Sequence, residues 1–75
     1  MTNLNLTFGE TILILRRRKG WTANEASALV GVSNNTFCSW EVGKTLPKRK
    51  MIKKIAEVLE CPVGYLGALI AKEMS

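Results

Sequence analysis

Histidine is absent from this 75-residue chain, aspartate is absent too, and cysteine and proline occur only twice each. Each shortage excludes something. Without histidine the chain lacks the commonest general base and metal ligand. Cys38 and Cys61 stand alone, with no CxxC pair, and two isolated thiols do not complete a tetrahedral zinc site. No metal or other cofactor is therefore expected. No Gly-rich phosphate loop or carboxylate pair stands out, and Cys38 has no recognisable base near it, so an enzyme is a poor reading. The longest apolar stretches fall short of a membrane span, and residues 1–7 lack the charged start and apolar run of a secretion signal. The expectation is a cytoplasmic, nucleoid-associated protein with reduced thiols, no membrane contact and no small-molecule ligand.

The chain has room for one domain, expected to occupy residues 1–75. A domain of this size buries only about 60% of the surface its unfolded chain exposes. With disulfide and metal set aside, self-association is the remaining source of added stability.

Charge is plentiful but unevenly placed. The net charge is +5. Residues 1–50 carry eight Lys/Arg against Glu10, Glu25 and Glu41, whereas residues 51–75 carry Lys53, Lys54 and Lys72 against three glutamates. A basic front and a neutral tail point to a polyanion on one side and a different task at the C-terminus. Many small basic domains are merely soluble, so charge alone does not decide the matter.

Helix signals recur along the chain, and no strand-period alternation competes with them. Thr7-Phe8-Gly9-Glu10 has capping-box form, Phe8, Ile12 and Leu15 share one helical face, and Arg16 to Lys19 suit the negative end of the dipole before Gly20. Thr22-Ala23-Asn24-Glu25 repeats the capping box. Ser33 suits the cap of a third helix that stops at Gly43. Pro62 suits the start of a fifth. The pattern predicts an all-α five-helix bundle with helices at about 7–19, 23–30, 34–42, 48–60 and 63–72.

Helices two and three, joined by Gly31-Val32-Ser33, form a helix-turn-helix pattern, whose second helix lies in the DNA major groove. At about 100° per residue, Phe37 and Trp40 fall together as an apolar anchor, expected against helices two and four. Asn35, Cys38, Ser39 and Val42 fall opposite, with Asn34 at the flank. Asparagine pairs bidentately with adenine, and serine serves most base edges. Taken alone, Asn34 and Asn35 read as solvated first-turn residues. Their place between a Ser cap and two core aromatics, beside a basic loop, turns the reading toward bases.

The run Gly20-Trp21-Thr22, Ala26-Ser27, Gly31-Val32-Ser33, Thr36-Phe37, Trp40-Glu41, Gly43 and Pro47 resembles the Cro/C1-type (XRE-like) helix-turn-helix family, with a lambda-repressor-like DNA-binding domain. Ile55 to Leu59 and Tyr65-Leu66 resemble that family's ending, so the likeness covers residues 8–66. The resemblance implies that Ser33, Asn34, Asn35 and Ser39 read bases. It implies that Arg16 and Glu41 form a buried ion pair, and that Thr22, Lys44 and Lys48 contact phosphate. Arg17, with Arg18 and Lys19, remains surface charge placed to reach phosphate. Singly, each lysine reads nearly as well as ordinary surface.

Three positions depart from the family pattern. Ala23 replaces a glutamine whose amide braces the DNA backbone. Ala26 replaces leucine, leaving space for Phe37 and Trp21. Cys38 is unusual on the reading face, where it suits a thymine methyl better than a redox role. Leu13 and Ile14 are apolar where the family is commonly polar. The apolar surplus at Leu66, Leu69, Ile70 and Met74 predicts that helix five joins a homodimer, with Leu69, Ile70 and Met74 as its candidates.

The function expected is sequence-specific transcriptional regulation on double-stranded DNA, as a Cro-like repressor, phage or bacterial, whose dimer binds an inverted-repeat operator. An antitoxin or restriction–modification controller uses the same bare domain. A protein-interaction module without DNA binding is the reading from a different class, motivated by Ala23 and the uncharged face.

Overall fold

Local hydroxyl chemistry starts three of the helices. The computed structural model describes residues 6–74 and contains, among them, α1 (Phe8–Arg18), α2 (Ala23–Val30), α3 (Asn34–Glu41), α4 (Arg49–Leu59) and α5 (Val63–Met74). The Thr7 and Thr22 hydroxyls accept from the N–H groups of Glu10 and Glu25, whose carboxylates accept in return from the two threonine N–H groups. Both capping boxes therefore form as the sequence predicts. Ser33 caps α3 by accepting from the Thr36 N–H at 3.2 Å. Pro62 stands just before α5, and its carbonyl accepts from the N–H groups of Tyr65 and Leu66.

The boundaries differ from expectation at six helix ends, by one residue at both ends of α1, at the end of α3 and at both ends of α4, and by two at the end of α5. Lys48 is the N-cap of α4 rather than its first residue. Glu60 lies outside α4 in the left-handed region, with φ 56°. That conformation turns the chain, and the Cys61 N–H closes on the Ala56 carbonyl at 3.0 Å. At the other end, α5 runs two residues past the expected stop and reaches Met74. Its Glu73 carboxylate accepts from the Phe8 N–H, so the last turn of α5 meets the positive end of α1.

Each helix contributes its apolar stripe to one core. Phe8 and Ile12 of α1, Val30 of α2, Phe37 of α3, Ile55 of α4 and Leu66 of α5 are buried together. The α3 backbone lies against α2 and α1, and its anchor of Phe37 and Trp40 shares one core cluster with Ile52 and Ile55 of α4. Ile70 is also buried, at 5% exposure, which corrects its assignment to a dimer surface: the side chain is spent inside the monomer. Leu69 is half-buried against the core, and Met74 is exposed. Among the described residues, no helix is long and apolar enough to cross a membrane.

One residue sets how closely two helices approach. Gly9 is buried in α1, and a Cβ there would lie 2.4 Å from the carbonyl oxygens of both Trp40 and Glu41. Backbone cannot swing aside as a flexible side-chain tip can. Gly9→Ala is therefore expected to cost about 1–3 kcal/mol or more by forcing α1 from α3. Urea unfolding would measure it; a variant as stable as the parent would mean that the seam yields freely.

The ends of α1 and α4 are joined by charge. The Lys19 ammonium bonds the Glu60 carboxylate and also lies 5.9 Å from the centre of the Trp21 ring. Lys19 holds the Glu60 carboxyl below its ordinary value. Because the folded value is the lower one, the pair's contribution is complete above the unfolded carboxylate range and is lost as pH falls through the folded value. Exposure and salt keep it small. Lys19→Met should return the Glu60 titration to that of a free carboxylate, as followed by carboxyl NMR, whereas an unchanged midpoint would dismiss Lys19 as the cause.

Candidate nucleic-acid interface

The outward face of α3 is defined by what its inward face buries. Phe37 and Trp40, one turn apart, are both in the core, with ring centroids 5.9 Å apart and planes tilted by 59°. This tilted arrangement suits the ring quadrupoles. Glu41 completes the anchor. Arg16 donates from Nε to one Glu41 oxygen at 2.6 Å and from Nη2 to the other at 3.3 Å, while its Nη1 reaches the Trp21 carbonyl at 2.9 Å. Both charged side chains are nearly buried, at 11% and 8% exposure. One guanidinium thus ties α1, the start of the α2 connection and the end of α3.

Rotation is then settled, and Asn34, Asn35, Cys38, Ser39 and Val42 lie on the other side. The asparagines and Val42 are exposed, and Cys38 and Ser39 are half-exposed. The face is short, polar and without charge. Its members differ in how free they are. The Ser33 hydroxyl accepts from the Thr36 N–H and donates to the Thr36 hydroxyl at 2.9 Å, so its proton is already committed. The Cys38 Sγ lies 3.8 Å from Asn34 Oδ1, which turns the amide oxygen toward the helix and leaves the NH2 outward. Asn35 makes no side-chain hydrogen bond among the described residues. It is the member with its full donor and acceptor set unspent.

No sequence pattern marks Thr45, yet its hydroxyl lies 2.7 Å from that of Ser39. The helix end explains the encounter. Gly43, at φ 80°, lets the chain reverse, so its N–H meets the Trp40 carbonyl at 3.2 Å and the Lys44 N–H meets the Ser39 carbonyl at 2.9 Å. The Thr45 N–H reaches the same carbonyl at 3.3 Å. A Gly-Lys-Thr run after a helix signals the reversal, but nothing in the sequence signals the hydroxyl pair. Val42, at 77% exposure, is the most exposed of the large apolar residues on or beside this face.

The expected phosphate contacts are dispersed. Lys44 sits at the closed end of α3, and Lys48 caps α4 without a side-chain cap bond. Thr22 is exposed, but its N–H and its acceptor role are spent on Glu25. The hydroxyl proton remains, with the first two amide groups of α2 at Ala23 and Asn24. Arg17 is exposed on the last turn of α1, and no contact among the described residues ties it to α3. Ala26 is fully buried beside Phe37 in the core. Burial pushes the Cys61 thiol up, which disfavours its thiolate.

A helix-turn-helix family model matches residues 12–66, covering all of α2, α3 and α4. The chain belongs to the Cro/C1-type helix-turn-helix family. This helix-turn-helix protein is 39% identical over 62 residues to the uncharacterized HTH-type transcriptional regulator RghRB of Bacillus subtilis (strain 168), a match covering 81% of the chain but 45% of that relative. The chain thus spans less than half of RghRB's length. Among solved structures it superposes on the P22 c2 repressor in complex with a synthetic operator, with TM-score 0.77 and 28% identity over 81% of this chain and 92% of that one. The solution structure of the P22 c2 DNA-binding domain gives 0.78 and 26%, covering 85% and 84%. The clp gene regulator ClgR of C. glutamicum shares the fold, with TM-score 0.73 at 20% identity over 100% and 97% of the two chains.

The Arg16–Glu41 pair makes a direct test of the scaffold. Glu41→Gln leaves a nearly buried guanidinium without its counter-charge and should cost about 3–5 kcal/mol, whereas replacing both partners by methionine should cost much less. Chemical denaturation of the two variants checks the order. If the double variant were the less stable, the pair would contribute net stability beyond mutual compensation.

Proposed function

We propose that this domain is a sequence-specific transcriptional repressor that lays α3 into the DNA major groove. The observation that carries the reading is the uncharged row Asn34, Asn35 and Ser39, held outward by an anchor of Phe37, Trp40 and Glu41. Short amides and hydroxyls suit base edges, and their small size lets the helix approach closely. The likeness to the P22 c2 repressor, a structure solved on operator DNA, supports the same reading. Asn35 is the leading base reader, with Asn34 offering mainly its NH2. Ser33 serves as a cap and contributes at most acceptor capacity. Cys38 offers a small apolar contact to a thymine methyl.

Backbone contacts come from Lys44, Lys48 and Arg17, together with the Thr22 hydroxyl and the first amides of α2. Without a glutamine at Ala23, these cations carry more of the affinity. The domain acts as a dimer on an inverted repeat, with two copies of α3 about 34 Å apart. On α5, Met74 and part of Leu69 remain available for that contact, while Ile70 does not. Control through the protein's own concentration fits a Cro-like role.

Binding to randomised and operator-selected fragments across a salt series tests the proposal. Affinity should fall log-linearly with salt. Asn35→Ala should weaken specific binding by about 1–3 kcal/mol while sparing nonspecific affinity. Lys44→Ala should weaken all DNA alike and flatten the slope. Equal loss on every sequence from Asn35→Ala would move that residue to the backbone. Absence of any salt-dependent selective binding would favour an interaction module.

A further inference from the structure

We infer that Thr45 is a specificity-positioning residue: it aims the Ser39 hydroxyl at the DNA and joins base reading to the basic loop. The inference rests on the DNA-reading role proposed above and concerns a residue outside the reading helix.

A serine in mid-helix has an easy internal use for its hydroxyl. It can bond back to the carbonyl four residues earlier, or it can rotate among staggered positions in solvent. Ser39 does neither, because its Oγ sits 2.7 Å from Thr45 Oγ1. Thr45 is itself firmly mounted. Its N–H reaches the Ser39 carbonyl at 3.3 Å, and the preceding N–H, of Lys44, reaches the same carbonyl at 2.9 Å. Immediately beyond it, Leu46 packs against the core and Pro47 is buried. Threonine adds a stiff χ1 of its own. Two hydroxyls at this distance hold two protons, and their mutual bond consumes one. The pair therefore presents a single O–H donor and the remaining lone pairs from a fixed place. A lone Ser39 would have to be ordered on binding, at a cost in rotamer freedom.

The same bonds place Lys44 beside the reader. When Lys44 meets a phosphate, the Ser39 carbonyl and the Ser39 hydroxyl are located through the two residues of one loop. Register on the backbone and orientation at the base are thus set together.

Selection from randomised DNA separates this role from a structural one. The variants are Thr45→Val, which keeps shape but loses the hydroxyl, Thr45→Ser, which keeps the hydroxyl, Ser39→Ala, and the Ser39→Ala/Thr45→Val pair. Thr45→Val should relax base preference at the one operator position that Ser39→Ala also relaxes, by between about twofold and tenfold. Thr45→Ser should restore the preference. In the Ser39→Ala background, Thr45→Val should add nothing at that position. Uniform loss of affinity on all sequences, or an unchanged preference profile in Thr45→Val, would overturn the inference while leaving the DNA-reading function intact. A parent protein that selects no sequence would overturn that function, and this inference with it.

Discussion

The rest of the structure hangs on the seam between α1 and α3. Two features make it. Gly9 lets the α1 backbone come against the Trp40 and Glu41 carbonyls, where any side chain would collide. Arg16 then takes the Glu41 carboxylate with two nitrogens and the Trp21 carbonyl with the third. A close contact without the ion pair would leave α3 free to roll. The ion pair without close contact would leave two long side chains spanning a gap. Together they fix the distance, rotation and tilt of a helix that is only eight residues long. A helix so short has little stability of its own and takes nearly all of it from tertiary contact.

Around that seam, the connections are closed by backbone bonds rather than by side-chain bulk. Left-handed residues follow α1, α2, α3 and α4, and each reversal returns N–H groups to the last carbonyls. Three of these positions are glycine, and the fourth is Glu60. Glu60 occupies a conformation unfavourable for a side-chain-bearing residue. Its partner Lys19 sits at the end of α1, so the pair lies at the opposite end of that helix from the Gly9 contact.

Much of this was legible in the sequence because it is local. Capping boxes need only a threonine and a glutamate three residues apart, and helix stops need only a glycine, so the five helices emerged nearly in place. The ion pair followed from family resemblance, not from spacing. What escaped was long-range or directional. Gly9 looks like an ordinary second residue of a capping box until α3 is laid against it. Glu73 meets Phe8 across almost the whole length of the chain. In sequence Ile70 reads as outward because apolar surplus on a terminal helix looks like an interface. Its burial depends on how α5 closes over α1 and α4, which no local pattern states. On the outward face of α3, the sequence identifies the residue types but few of their commitments. Ser33 is readable as a cap, whereas the contacts of Asn34 with Cys38 and of Ser39 with Thr45 appear only in three dimensions.

Those unequal commitments bear on how such a domain changes its target over evolutionary time. Asn35 projects from a helix whose placement owes nothing to it, so substitutions there leave the scaffold almost untouched. With the base-reading role proposed for Asn35, a lineage can exchange that side chain and sample new binding sites at little hazard to folding. Ser39 is under a stricter rule: its hydroxyl pairs with that of Thr45 in the following loop, so a replacement there also leaves the Thr45 hydroxyl without that partner. One position is thus a freely turning dial for diversification, and its neighbour one turn away is a latch.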